Sequence, residues 1–105
     1  MKASIQTKDD ILLAIQENGE KIRNLGVMKI GVFGSFNRGE QNDESDVDLL
    51  VEFEQGQKTF DNFMHLSFLL EEILQRPVEL VTAESLSPYI RPYIVKEVEY
   101  VTLAR

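Results

Sequence analysis

Ile11, Ile15, Ile22 and Leu25 recur at a spacing that keeps them near one side of a helix, and Thr7 followed three residues later by Asp10 resembles a capping box. A first helix is predicted over roughly residues 8 to 24, closed by Gly26. The pattern then changes. MKIGVF, Met28 to Phe33, and DLLVEF, Asp48 to Phe53, are short apolar runs bounded by glycine and polar residues, and they read as strands. Between them the chain predicts a short helix after Ser35 and a loop from Gln41 to Ser45. Thr59 can cap a helix in which Phe63, Leu66, Leu70, Ile73 and Leu74 make one apolar stripe and Glu71, Glu72 and Gln75 its polar face. That helix must stop before Pro77, because proline disfavours helical backbone in the residue ahead of it. Val78 to Thr82 predicts a third strand, and Ser87 and Pro88 give the cap and first turn of a final helix with Ile90, Ile94, Glu97 or Val98, and Val101 on one side. The expected fold is α/β, a small mixed sheet flanked by helices, in one domain over residues 1–105 without repeat or linker.

Composition narrows the classes of partner. A net charge of −7 with eleven scattered Lys and Arg argues against broad contact with nucleic acid, which needs clustered cations. The absence of cysteine removes disulfides and thiolate metal sites. No apolar run approaches the ~18 residues of a spanning helix, and MKASIQTKDD lacks the apolar stretch of a signal peptide, so the default expectation is a cytoplasmic protein without membrane contact.

The candidate chemistry lies in GSFNRGEQNDESDVD, Gly34 to Asp48, where a Gly-Ser pair precedes two aspartates in i, i+2 spacing. Gly34 at a strand end permits close backbone approach, and the Ser35 hydroxyl and following amides can bind phosphate oxygens. On an extended chain Asp46 and Asp48 project to the same side, ~6.5 to 7 Å apart. Two such carboxylates suit magnesium, which is held by one or two carboxylates plus waters and substrate phosphates. A carboxylate-rich site of this kind accepts a nucleoside triphosphate once the metal is present.

The run GSFNRGEQNDESDVDLLVEF resembles the GSx(10)DxD signature of the nucleotidyltransferase superfamily, in the form seen in its minimal members, and PVELVTAESLSPYIRPYIVKEVEYV is similar to that family's closing strand and helix. The resemblance implies that Ser35 and Arg38, beside Gly34, contact the triphosphate, and that Asp46 and Asp48 ligate magnesium. The family's third carboxylate, usually aspartate, falls at Glu79, one methylene longer and still able to bind metal or accept a proton. The implied reaction is attack of an acceptor hydroxyl on the α-phosphorus of ATP, with pyrophosphate expelled and two magnesium ions shared among Asp46, Asp48 and Glu79. Minimal nucleotidyltransferases of this type act as antitoxins that adenylylate a tyrosine of a HEPN-type helical toxin, which is the implied partner. Two other readings stay open: neutralisation of the toxin by stoichiometric binding, and a free-standing enzyme acting on a small hydroxylated molecule.

Several residues have plainer readings. Arg38 can pair on the surface with Glu40, Asp43 or Glu44. Ser45 fits ordinary turn chemistry or orients the Asp46 loop, and His65, beside the apolar stripe, reads as structural. Glu79 in an otherwise apolar strand either reaches a cleft or lies on a solvated face, since an unpaired buried carboxylate is costly. Glu52 and Glu54 read as solvated, and Tyr89, Tyr93 and Tyr100 as packing residues or a partner-facing set.

Overall fold

A computed structural model describes residues 5–103. Thr7 caps α1 (Lys8–Glu17) through the reciprocal capping box with Asp10, whose carboxylate accepts from the Gln6 and Thr7 amides at 2.9 and 3.0 Å. The single long helix expected there is two. Asn18 leaves helical geometry at φ −108°, ψ 19° and turns its side-chain amide back onto the Ala14 carbonyl at 2.8 Å, and α2 (Gly19–Arg23) starts afresh. Ile22 stays fully buried, which is why the apolar spacing concealed the break.

Four strands follow: β1 (Val27–Phe33), β2 (Val47–Phe53), β3 (Val78–Thr82) and β4 (Glu99–Val101), in the order β3-β2-β1-β4. The sheet is mixed, as expected: β1 runs antiparallel to both β2 and β4, and β2 runs parallel to β3. Register sorts the side chains by face. Ile30, Val32, Val47, Leu49, Val51, Leu80 and Val101 pack beneath α1 and α4 (Phe60–Leu74) with Ile11, Ile15, Leu66, Leu70 and Leu74. Burying each such aliphatic side chain contributes about 1.5–3 kcal/mol, and this one layer is the core. The opposite face carries Lys29, Gly31, Phe33, Asp48, Leu50, Glu52, Glu79, Val81 and Tyr100.

The final helix is a correction. It was expected to carry Val101 on its apolar side, but α5 is only Arg91–Glu97, Val98 turns extended at ψ 137°, and Val101 lies in β4 opposite Ile30. Gly31 makes room for this fourth strand: a Cβ there would stand 2.7 Å from the Glu99 carbonyl oxygen. A three-residue strand is too short for its alternation to be told from helical spacing. The short helix expected after Ser35 is present and starts at Ser35 itself, as α3 (Ser35–Arg38), closed by Gly39 in the left-handed conformation at φ 72°.

Candidate active site

β1 ends by delivering Gly34 at φ 76°, ψ −153°, a conformation essentially reserved for glycine. A Cβ on Gly34 would lie 2.1 Å from Asp48 Oδ2, so the missing side chain is the space into which the Asp48 carboxylate fits. Ser35 opens α3 directly after this turn and is partly buried. The Gly34 turn and the strand that carries Asp48 thus lie directly against each other.

Asp48 sits opposite Glu79 in the parallel β2–β3 register. Its carboxyl is pushed up to about 6, first by burial, then by sharing a proton with Glu79, by the Glu79 charge and by the Asp46 charge, with Arg38 pulling the other way. Glu79, despite its extra methylene, therefore reaches Asp48 from an exposed position, so its carboxylate is both solvated and partnered rather than buried alone. Asp46 is exposed and stands one residue before β2, near enough for Asp48 to feel its charge.

Among the described residues no three acidic or imidazole side chains form a ready-made metal cage. What the site offers is the Asp48–Glu79 pair with Asp46 nearby, and that donor set fits magnesium, which needs only one or two carboxylates beside water and phosphate. The upward shift of Asp48 comes first from burial and then from the neighbouring carboxylates, and a bound cation would offset both by favouring the ionised form.

Arg38 is exposed and held by two carboxylates, Glu40 at 2.9 Å from Nε and Glu97 at 2.8 Å from Nη1. The Glu40 pairing matches the plain surface reading; Glu97, on α5, was missed, because nothing in a sequence signals a partner fifty-nine residues away. Asn37 adds a second tie to the same place, donating to the Glu97 carbonyl at 2.7 Å. Ser45 Oγ accepts from the Asn42 amide at 2.9 Å and closes the turn ahead of Asp46. His65 is exposed on α4. Glu52 is not free in solvent: it pairs with Lys29 at 3.3 Å, and Lys29 lies 4.4 Å over the Tyr100 ring. Tyr100 packs, whereas Tyr89 and Tyr93 stand 86% and 76% exposed.

Residues 11–101, which contain the Gly34 turn and all three acids, match the nucleotidyltransferase domain model. The chain belongs to the nucleotidyltransferase family. This minimal nucleotidyltransferase is 38% identical over 96 residues to the protein adenylyltransferase MntA of Thermococcus cleftensis, covering 90% of this chain and 96% of that one. It is 40% identical over 77 residues to a protein of Methanocaldococcus jannaschii provisionally designated a protein adenylyltransferase, covering 71% of this chain and 77% of that one. Among solved structures, one provisionally designated a minimal nucleotidyltransferase superposes with a TM-score of 0.71 at 31% identity, over 92% of this nucleotidyltransferase and 98% of that chain. The fold is shared, at 22% identity and a TM-score of 0.54 over 85% of this chain and 72% of that one, with a structure of a tri-AMPylated Shewanella oneidensis HEPN toxin in complex with MNT antitoxin.

Proposed function

We propose that this nucleotidyltransferase moves AMP from ATP onto a hydroxyl, in the first place a tyrosine, of a HEPN-type toxin, and so acts as its antitoxin. The observation that carries the reading is the fit of Asp48, paired with Glu79, into the space left by Gly34, which brings acidic strand and phosphate turn together. Ser35 and Arg38 bind the triphosphate and hold it in line; Asp46, Asp48 and Glu79 are the ligands for magnesium. Two bound magnesium ions would supply charge neutralisation of the leaving pyrophosphate and acidification of the acceptor hydroxyl. The hydroxyl oxygen forms a bond to the α-phosphorus as the bond to the β-phosphate oxygen breaks, pyrophosphate leaves, and the hydroxyl proton passes to a cleft carboxylate or water.

The adenylyltransferase relatives support a protein acceptor, and so does the surface. Tyr89, Ile90, Tyr93 and Val95 expose an apolar strip in and before α5, the helix whose Glu97 touches Arg38. No helix among the described residues is long and apolar enough to cross a membrane; the location we propose is the cytoplasm.

The test is label transfer from α-phosphate-labelled ATP with magnesium to a HEPN-type toxin, followed by mapping of the labelled residue. Label on a tyrosine, absent with the Asp46→Asn, Asp48→Asn double variant, is the expected result. Neutralisation of the toxin by that double variant as fully as by the wild type would overturn it in favour of stoichiometric binding.

A further inference from the structure

Arg76 belongs to no recognised motif, yet it has the most extensive hydrogen bonding of any side chain around the site. It lies on the connection from α4 to β3, directed there by Gln75, a non-glycine residue in the left-handed conformation at φ 53°. Its Nη1 donates to the carbonyls of Asn42, Asp43 and Ser45 at 3.3, 3.2 and 3.0 Å, and its Nε to the Ile5 carbonyl at 2.9 Å. The guanidinium carbon stands 5.0 Å from the centroid of the Phe36 ring, itself 1% exposed and part of α3.

The adjoining residue completes the grip. The Pro77 carbonyl accepts from the Val47 amide at 2.9 Å. Asp46 is thereby bracketed: the carbonyl before it is fixed by Arg76 and the amide after it by Pro77. Two residues further on the same segment supplies Glu79. The α4–β3 connection thus sets the position of one acid while carrying another, and it holds the Phe36 end of the phosphate turn in the same contact.

We propose that Arg76 is a positioning residue that clamps the Gln41–Ser45 loop and so aims Asp46 at the Asp48–Glu79 pair. The inference rests on the reading of Asp46 as a metal ligand. An exposed aspartate ahead of a strand has no packing to orient it, so its direction is set by the backbone on either side. A planar guanidinium reaches the Ile5 carbonyl and the loop carbonyls from two different nitrogens while its plane lies against a ring, whereas a lysine has a single nitrogen to serve all of them.

The experiment compares Arg76→Lys and Arg76→Ala with the wild type by amide hydrogen exchange without metal and by Mn2+ binding followed by electron paramagnetic resonance. Expected are exchange about 10-fold faster at the amides of residues 42–47 with β1 and α4 unchanged, and Mn2+ affinity about 10-fold weaker, in the lysine variant as well. Failure of the conservative variant to rescue separates the clamp from a general need for positive charge, and Arg76→Lys keeps the test alive if the alanine variant does not fold. Wild-type exchange in the 42–47 amides of both variants would overturn the proposal. Asp46→Asn alone keeps the two readings apart. Unchanged Mn2+ affinity there refutes Asp46 as a ligand, whereas weakened affinity there with none lost in the Arg76 variants refutes the clamp.

Discussion

Asp48 and Glu79 occupy the same register position of two parallel strands, so two carboxyl groups stand side by side on one face of the sheet. The Asp48 carboxyl, raised from 3.8 to about 6, favours its neutral form in the folded protein. Its contribution to stability is therefore fully present below pH 3.8 and is lost as pH rises through about 6. Because the group is partly exposed the effect is discounted to on the order of 1 kcal/mol, or about 4 °C in Tm. Without metal, Asp48→Asn should melt higher than the wild type at pH 8, by about that amount, and the difference should vanish toward pH 4. Melting curves of both proteins across this range, with chelator present, check it. Magnesium and ATP together should raise the wild-type Tm more at pH 8 than at pH 5.

Gly34 is constrained twice, by φ 76° and by the 2.1 Å separation between a would-be Cβ and Asp48 Oδ2. Gly34→Ala should cost about 1–3 kcal/mol in backbone strain and also displace Asp48. Gly56 is the control: it has φ 79° but nothing within 4 Å of its would-be Cβ. Gly56→Ala should be destabilised by about 1 kcal/mol and keep full label transfer. Gly34→Ala should lose transfer by about 100-fold even at temperatures where it remains folded. Equal activities for the two variants would mean that the Asp48 cradle is unnecessary.

Most of the sheet was legible because its strands are bounded by unambiguous residues: Gly34 after β1, Pro77 before β3, and a polar loop before β2. Asp46, Asp48 and Glu79 stood out through the resemblance of their segments to a family signature, and the fold sets Asp48 opposite Glu79 with Asp46 close by. What escaped was whatever depended on contact between distant segments. β4 exists because Gly31 leaves space for its backbone, and Arg38 is occupied because α5 ends at Glu97. Neither fact leaves a local trace. The break at Asn18 escaped for the opposite reason: Ile22 remains in phase with Ile11 and Ile15 across it.

Tyr89 and Tyr93 bury little within the chain, so replacing them should leave the fold alone and act on the acceptor. The double substitution Tyr89→Ser, Tyr93→Ser should change stability by no more than ~0.5 kcal/mol. Transfer to a protein acceptor should show KM raised about 10-fold, as expected when exposed aromatic anchors are removed from an interface. ATP binding, measured by calorimetry without acceptor, should not move. A weakened ATP affinity would place these tyrosines in the nucleotide site instead.

Arg38 must leave its present partners, or share them, to reach a triphosphate. Its two ion pairs, with Glu40 and Glu97, are solvent-exposed and screened, so they oppose that exchange only weakly, whereas a guanidinium on phosphate oxygens makes stronger charge-assisted bonds. Arg38→Ala should therefore raise KM for magnesium-ATP about 10-fold while leaving the melting temperature nearly unchanged. Glu97→Gln removes the charge of the 2.8 Å partner but leaves the backbone carbonyl of residue 97 that Asn37 uses, so α3 and α5 stay tied. KM should then fall by about 2-fold to 5-fold, because less of the arginine is withheld. Titrations of initial rate against magnesium-ATP at fixed acceptor decide the sign. If Glu97→Gln raises KM as Arg38→Ala does, Glu97 orients the guanidinium toward the phosphates rather than holding it back.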